Sequence, residues 1–109
     1  MATLLTSLQN AHIKNILKLN NRRQRDAQQK TVVEGVREAA RALQCGIAPD
    51  EAYICPELIH TAEATAVWQQ LQSLETQGKV TLFTVTPQLF AKAAYRGESG
   101  GILMVIPYL

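Results

Sequence analysis

The sequence predicts an α/β protein: a small three-layer α/β/α sandwich with a mostly parallel central sheet. Three observations lead there. Short runs of strand composition (TVVE, AYIC, VTLFTV, ILMVI) recur along the chain. Segments of helical periodicity separate them, and helices between strands act as crossovers that join parallel strands and cover both sheet faces. The length, 109 residues, suits one hydrophobic core and not two.

Taken in order, the first element is a basic helix. Ser7 or Asn10 is placed to cap it, and Ile13, Ile16 and Leu17 share one side. If it continues through Asn20-Asn21, Lys14, Lys18, Arg22 and Arg25 fall within an arc of roughly 80° on another side. If it breaks there, as asparagine favours, Arg22, Arg23 and Arg25 lie on a loop. Thr31 to Glu34 reads as a first strand, and Gly35 allows a tight strand-to-helix turn. Val36 to Cys45 follows as a helix with Val36, Ala39, Ala40 and Leu43 inward, closed by Gly46. Ala52 to Cys55 is a second strand, ended by Pro56. Ala62 to Gln77 is a long helix packed through Val67, Leu71 and Leu74 and ended by Gly78. Val80 to Val85 is a third strand. Thr86 then caps a short helix with Pro87 at its first position and Leu89, Phe90 and Ala93 behind it. Ile102 to Ile106 is the last strand.

Composition excludes several classes. At 47% apolar and 18% charged the chain is an ordinary globular sequence and not a disordered one. No apolar run approaches the roughly 20 residues that span a bilayer, and no positive residue precedes the short apolar patch at the N-terminus. A soluble cytoplasmic protein is expected. Net charge is only +2, but it is unevenly placed. Through Arg41 eight cations face three carboxylates, giving +5; beyond it three face six, giving −3. Such polarity predicts one cationic face; a plain solvated helix surface would read the same way.

No catalytic constellation is visible. Cys45 and Cys55 are too isolated for a disulfide framework or a zinc site, and each reads as a small buried hydrophobe. His12 and His60 have no ligand or triad neighbour in sequence and read as surface or capping residues. There is no G-x-S-x-G, Walker or G-x-G-x-x-G segment. The run Gly97 to Gly101 precedes a strand, whereas a phosphate cradle follows a strand and opens a helix; it reads as a flexible loop. Glu34 has no nearby second acid or nucleophile, so a structural or RNA-adjacent role is expected. The six aromatic residues are not interleaved with the basic ones, so contacts to phosphate and sugar are expected ahead of base stacking.

Two stretches carry a family resemblance. Asn10-x-x-Ile13-Lys14, Leu17-x-Leu19, Arg25 and Val32-Val33-Glu34-Gly35 resemble the N-terminal substrate-binding domain of SpoU-type (TrmH-type) RNA 2′-O-ribose methyltransferases. Gly101 to Val105 is similar to the glycine-plus-apolar strand that closes that domain, although Ser99 stands where the family often has proline. The resemblance implies a ribosomal-protein-like domain over residues 1–109 that selects and positions RNA, ribosomal or transfer. It also implies that methyl transfer belongs to a following knotted domain that binds S-adenosylmethionine. That domain's Asn-Pro-Gly-Asn-type and Ser-Leu-Asn segments do not occur here. The expectation is the recognition part of a longer enzyme, inactive alone and without a cofactor of its own. It is expected to be monomeric as a fragment and homodimeric through the missing domain. By this match Lys14 and Arg25 are the foremost RNA contacts, supported by Lys18, Arg22 and Arg23, with Arg37 behind them. Competing expectations are a stand-alone RNA-binding protein of ribosomal or kink-turn type, which shares the fold, and a module whose basic face meets an acidic protein.

Overall fold

The computed structural model describes residues 2–95 and 99–108. The elements run β1 (Thr3–Leu5), α1 (Ala11–Lys18), α2 (Arg22–Gln28), β2 (Lys30–Glu34), α3 (Val36–Gln44), β3 (Glu51–Ile54), a 3₁₀ turn (Pro56–Leu58), α4 (Ala62–Thr76), β4 (Thr81–Val85), α5 (Pro87–Ala93) and β5 (Ile102–Pro107). Five strands form one sheet in the order β1-β4-β3-β5-β2.

The sheet is mixed, which corrects the expectation of a mostly parallel one. β1 pairs with β4 and β3 with β4 in parallel, but β5 runs antiparallel to both β3 and β2. The connection that carries α5 does not return the chain to the other end of the sheet, so β5 enters from the end at which β4 finished and runs the opposite way. The Gly101 carbonyl accepts from Cys55 N–H (2.9 Å), and the Ile102 carbonyl accepts from Gly35 N–H (3.1 Å), so β5 starts beside the ends of β3 and β2.

Strand alternation divides the core between the two faces. Tyr53, Phe83, Val85, Leu103 and Val105 pack with Ile13 and Ile16 of α1 and with Leu89 and Phe90 of α5. Ala52, Ile54, Leu82, Ile102, Met104 and Ile106 pack with Ala39 and Leu43 of α3 and with Val67 and Leu71 of α4. Helices thus cover both faces, as the three-layer reading requires. Ile13 and Ile16 are buried, whereas Leu17, read as sharing their side, is exposed and Leu19 is buried with them. Cys55 is buried, but Cys45, expected buried, is exposed. Among the described residues no helix is long and apolar enough to cross a membrane.

The predicted basic helix is two helices. Asn10 caps α1 by accepting from His12 N–H, and Asn21 caps α2 by accepting from Arg23 N–H. The asparagine pair therefore acts as a break, and Arg22, Arg23 and Arg25 lie on a second helix, neither on a loop nor on a continuation of the first.

Candidate functional site

The cations singled out in the sequence separate into three environments. Lys14 and Lys18 on α1 and Arg22 and Arg23 on α2 are exposed. Lys14, Lys18 and Arg23 have no ion-pair partner among the described residues, and Arg22 has only an exposed contact of 3.8 Å to Asp26, one turn on, which binds weakly in water. Arg25 differs. It is half-buried, and its Nη1 donates to the Leu19 carbonyl (2.9 Å), closing the turn between α1 and α2. The same guanidinium lies beside the Tyr108 hydroxyl past β5. Arg37 opens α3 at the end of β2 and is exposed.

Beside β2, an edge strand, lies a groove of about 600 Å³. The outward side of Thr31 to Glu34 forms its floor, with Asn20, Arg25, Arg41 and Tyr95 among its walls. Glu34 Oε1 accepts from Tyr95 N–H (2.7 Å), so the carboxylate ending β2 holds the segment after α5 in place. This supports the structural side of the role expected for Glu34. Tyr95, 79% exposed, shares the groove with two arginines that lie far from it in sequence. The lack of interleaving along the chain therefore did not carry over to the surface. No local pattern marks Tyr95; only the fold makes it a neighbour of Arg25 and Arg41.

His12 is exposed, as its reading as a surface or capping residue expects, and it also has a partner. Its Nδ1 lies 2.7 Å from Glu51 Oε2, while the Tyr53 hydroxyl donates to Glu51 Oε1 (2.7 Å). Phe83 stacks on Tyr53 with centroids 5.1 Å apart and meets the His12 ring at 4.6 Å. Burial, reinforced by the Glu51 bond and charge, holds the Tyr53 hydroxyl well above the ordinary tyrosine range. Burial, aided by the Glu57 carboxylate, likewise pushes the Cys55 thiol up. Both groups are therefore kept neutral, which suits packing and not nucleophilic chemistry. Among the described residues no cluster could hold a metal ion. Of the Gly97-Gly101 loop, Gly97 and Glu98 lie outside the described residues; Ser99 is buried and Gly100-Gly101 form a turn.

Residues 10–104 match the model of the MRM3-like substrate binding domain. No curated protein sequence matches the chain at a significant level. Among solved structures, an RNA 2′-O ribose methyltransferase is 28% identical, with a TM-score of 0.80 over 98% of this chain and 38% of that one. An rRNA methyltransferase from Sinorhizobium meliloti is 17% identical, with a TM-score of 0.78 over 99% of this chain and 38% of that one. The SpoU methyltransferase AviRb from Streptomyces viridochromogenes, in complex with the cofactor AdoMet, is 18% identical, with a TM-score of 0.65 over 92% and 34%. The chain thus spans less than two fifths of these methyltransferase chains.

Proposed function

The chain belongs to the family of MRM3-like substrate binding domains, and we propose on that premise that it recognises structured RNA, ribosomal or transfer, and positions it for 2′-O-ribose methylation. The observation that carries this reading is the exposed set Lys14, Lys18, Arg22 and Arg23 on two consecutive helices, whose ion pairing among the described residues is limited to the exposed Arg22–Asp26 contact. Such cations bind phosphates by releasing condensed counterions, with little regard to sequence. Tyr95, exposed beside Arg25 and Arg41, adds one aromatic face on which an unpaired base could stack.

In this reading Arg25 acts chiefly by holding the α1–α2 turn, and the contacts fall to Lys14, Lys18, Arg22 and Arg23. The transfer step belongs to a further domain binding S-adenosylmethionine; this chain supplies affinity and register. The longer enzyme would dimerise through that further domain and leave this one monomeric.

Fluorescence anisotropy tests the reading. Ribosomal and transfer RNA fragments are titrated at 50 and 200 mM salt with the native chain and with Lys14, Lys18, Arg22 and Arg23 all changed to Ala. Removing four phosphate contacts is expected to flatten the slope of log K against log salt by about 3, at roughly 0.7–0.9 per contact. Equal slopes for the two proteins would refute the assignment. Capture of an acidic protein that survives RNase, with no RNA affinity at low salt, would favour the protein-interaction alternative.

A further inference from the structure

A second pocket, of about 360 Å³, opens where the N-termini of α3 and α4 meet the turn before β5. Val36 and Arg37 border it from α3, His60, Thr61 and Glu63 from the start of α4, and Ser99 from the turn. Both helices begin facing it, and each start leaves backbone N–H groups without intrahelical acceptors. Gly35 caps α3 with no side-chain hydrogen bond. Thr61 Oγ1 accepts from Ala64 N–H at the start of α4, which leaves the Ala62 and Glu63 amides outside that cap.

The independent observation is Ser99. It is 2% exposed, and its Oγ is the one buried side-chain polar atom without a hydrogen-bond partner among the described residues. A buried hydroxyl left unpaired is costly, so its persistence beside two helix starts points to a group that it donates to when the pocket is filled. Its position is tightly set. A Cβ at Gly100 would lie 2.6 Å from Val36 Cγ2, and one at Gly101 would lie 2.9 Å from the Cys55 carbonyl oxygen. The turn is therefore wedged between α3 and the end of β3.

We propose that this pocket seats a backbone phosphate of the bound RNA, an inference that rests on the RNA-recognition reading above. The positive ends of two helices, the Arg37 guanidinium and the Ser99 hydroxyl all favour an anion. Glu63 opposes it and sets the sign of the most telling variant: Glu63→Gln strengthens binding, whereas Arg37→Ala and Ser99→Ala weaken it.

The test has two arms on the full chain. In the first, inorganic phosphate is titrated while backbone amide shifts are followed by NMR. Saturable shifts at Val36, Arg37, Ala62 and Glu63, lost in Arg37→Ala, are expected; their absence overturns the pocket whatever RNA does. In the second, RNA affinity is measured by anisotropy for Arg37→Ala, Ser99→Ala and Glu63→Gln. Losses on the order of 10-fold for the first two, as for hydrogen bonds to a charged group, and a gain for the third are expected. Ser99→Ala removes an unpaired hydroxyl, so its melting temperature should not fall, which separates binding from folding. RNA binding that is undiminished in Arg37→Ala and Ser99→Ala overturns the proposal and leaves the RNA reading standing. Phosphate shifts without any RNA binding by the native chain overturn RNA as the source of the phosphate.

Discussion

Replacing Arg25 with alanine is expected to cost stability and to leave most RNA affinity in place. The guanidinium donates to the Leu19 carbonyl at the end of α1 (2.9 Å) while its own backbone sits on α2, so it braces the two helices together with the reciprocal Asn15–Gln28 amide pair. A hydrogen bond from a charged donor contributes about 1.5–3 kcal/mol. Arg25 is only half-buried, so water competes for the donor and the lower end, about 1.5 kcal/mol, applies. For a domain of this size that corresponds to a fall of roughly 6 °C in Tm. Arg23→Ala is the matched control: exposed and unpaired among the described residues, it should change stability by no more than about 0.5 kcal/mol while reducing the salt slope of RNA binding by nearly one unit. Calorimetry and anisotropy on both variants decide the matter. An Arg25→Ala protein that melts with the native chain but loses RNA as Arg23→Ala does would refute the division between holding and contacting residues.

Two further outcomes follow from the core and the α3 junction. Tyr53 is held neutral in the fold, its hydroxyl titrating above the ordinary value near 10. The unfolded chain therefore loses this proton first, and stability from this group is complete below pH 10 and falls above it, by up to about 1.4 kcal/mol per pH unit. Tyr53→Phe should cost about 1 kcal/mol at pH 8, for the lost bond to Glu51, and the deficit should shrink between pH 10 and 11 in urea titrations; a constant deficit would contradict the assignment. Gly35, at φ 115° and ψ 153°, occupies backbone space that side chains disfavour, so Gly35→Ala should cost about 1–3 kcal/mol. An unchanged urea midpoint would show that the junction relaxes freely.

Most elements were legible because their boundary chemistry is local. Thr86-Pro87 starts α5, Asn10 caps α1, and Gly46 and Gly78 end helices with φ of 80° and 75°. β1 was not legible: three residues paired with β4, some eighty positions away, leave too short a pattern to read. The direction of β5 depended on which end of the sheet the chain re-enters after α5, and composition does not encode that path. The Asn20-Asn21 break was visible as an alternative, and its consequence for Arg25 was not. A basic side chain that braces a turn and one that meets solvent look alike until the partner carbonyl is placed. The same holds for Tyr95 and Ser99, whose surroundings come from α2, α3 and α4, far from either in sequence.

The edge strand β2 ties these features to one another. Its outward backbone groups are left open by the sheet order, a position that ordinarily invites pairing with another strand. Here the flanking helices set Arg25 and Arg41 over that edge, and Lys30 at its start is matched by Asp50 at 3.2 Å. A second copy approaching the edge would bring arginine against arginine, which disfavours self-pairing, whereas in the proposed reading a ribose-phosphate chain would meet the open edge donors and the Arg41 charge together. At its far end β2 passes through Glu34, which fixes Tyr95, and Gly35 into Arg37 at the α3 start. One five-residue strand thus leads from the α1–α2 cations to the phosphate pocket. This continuity is the physical reason to expect a single polyanion to engage both, with affinity spread along the strand and not concentrated at one residue.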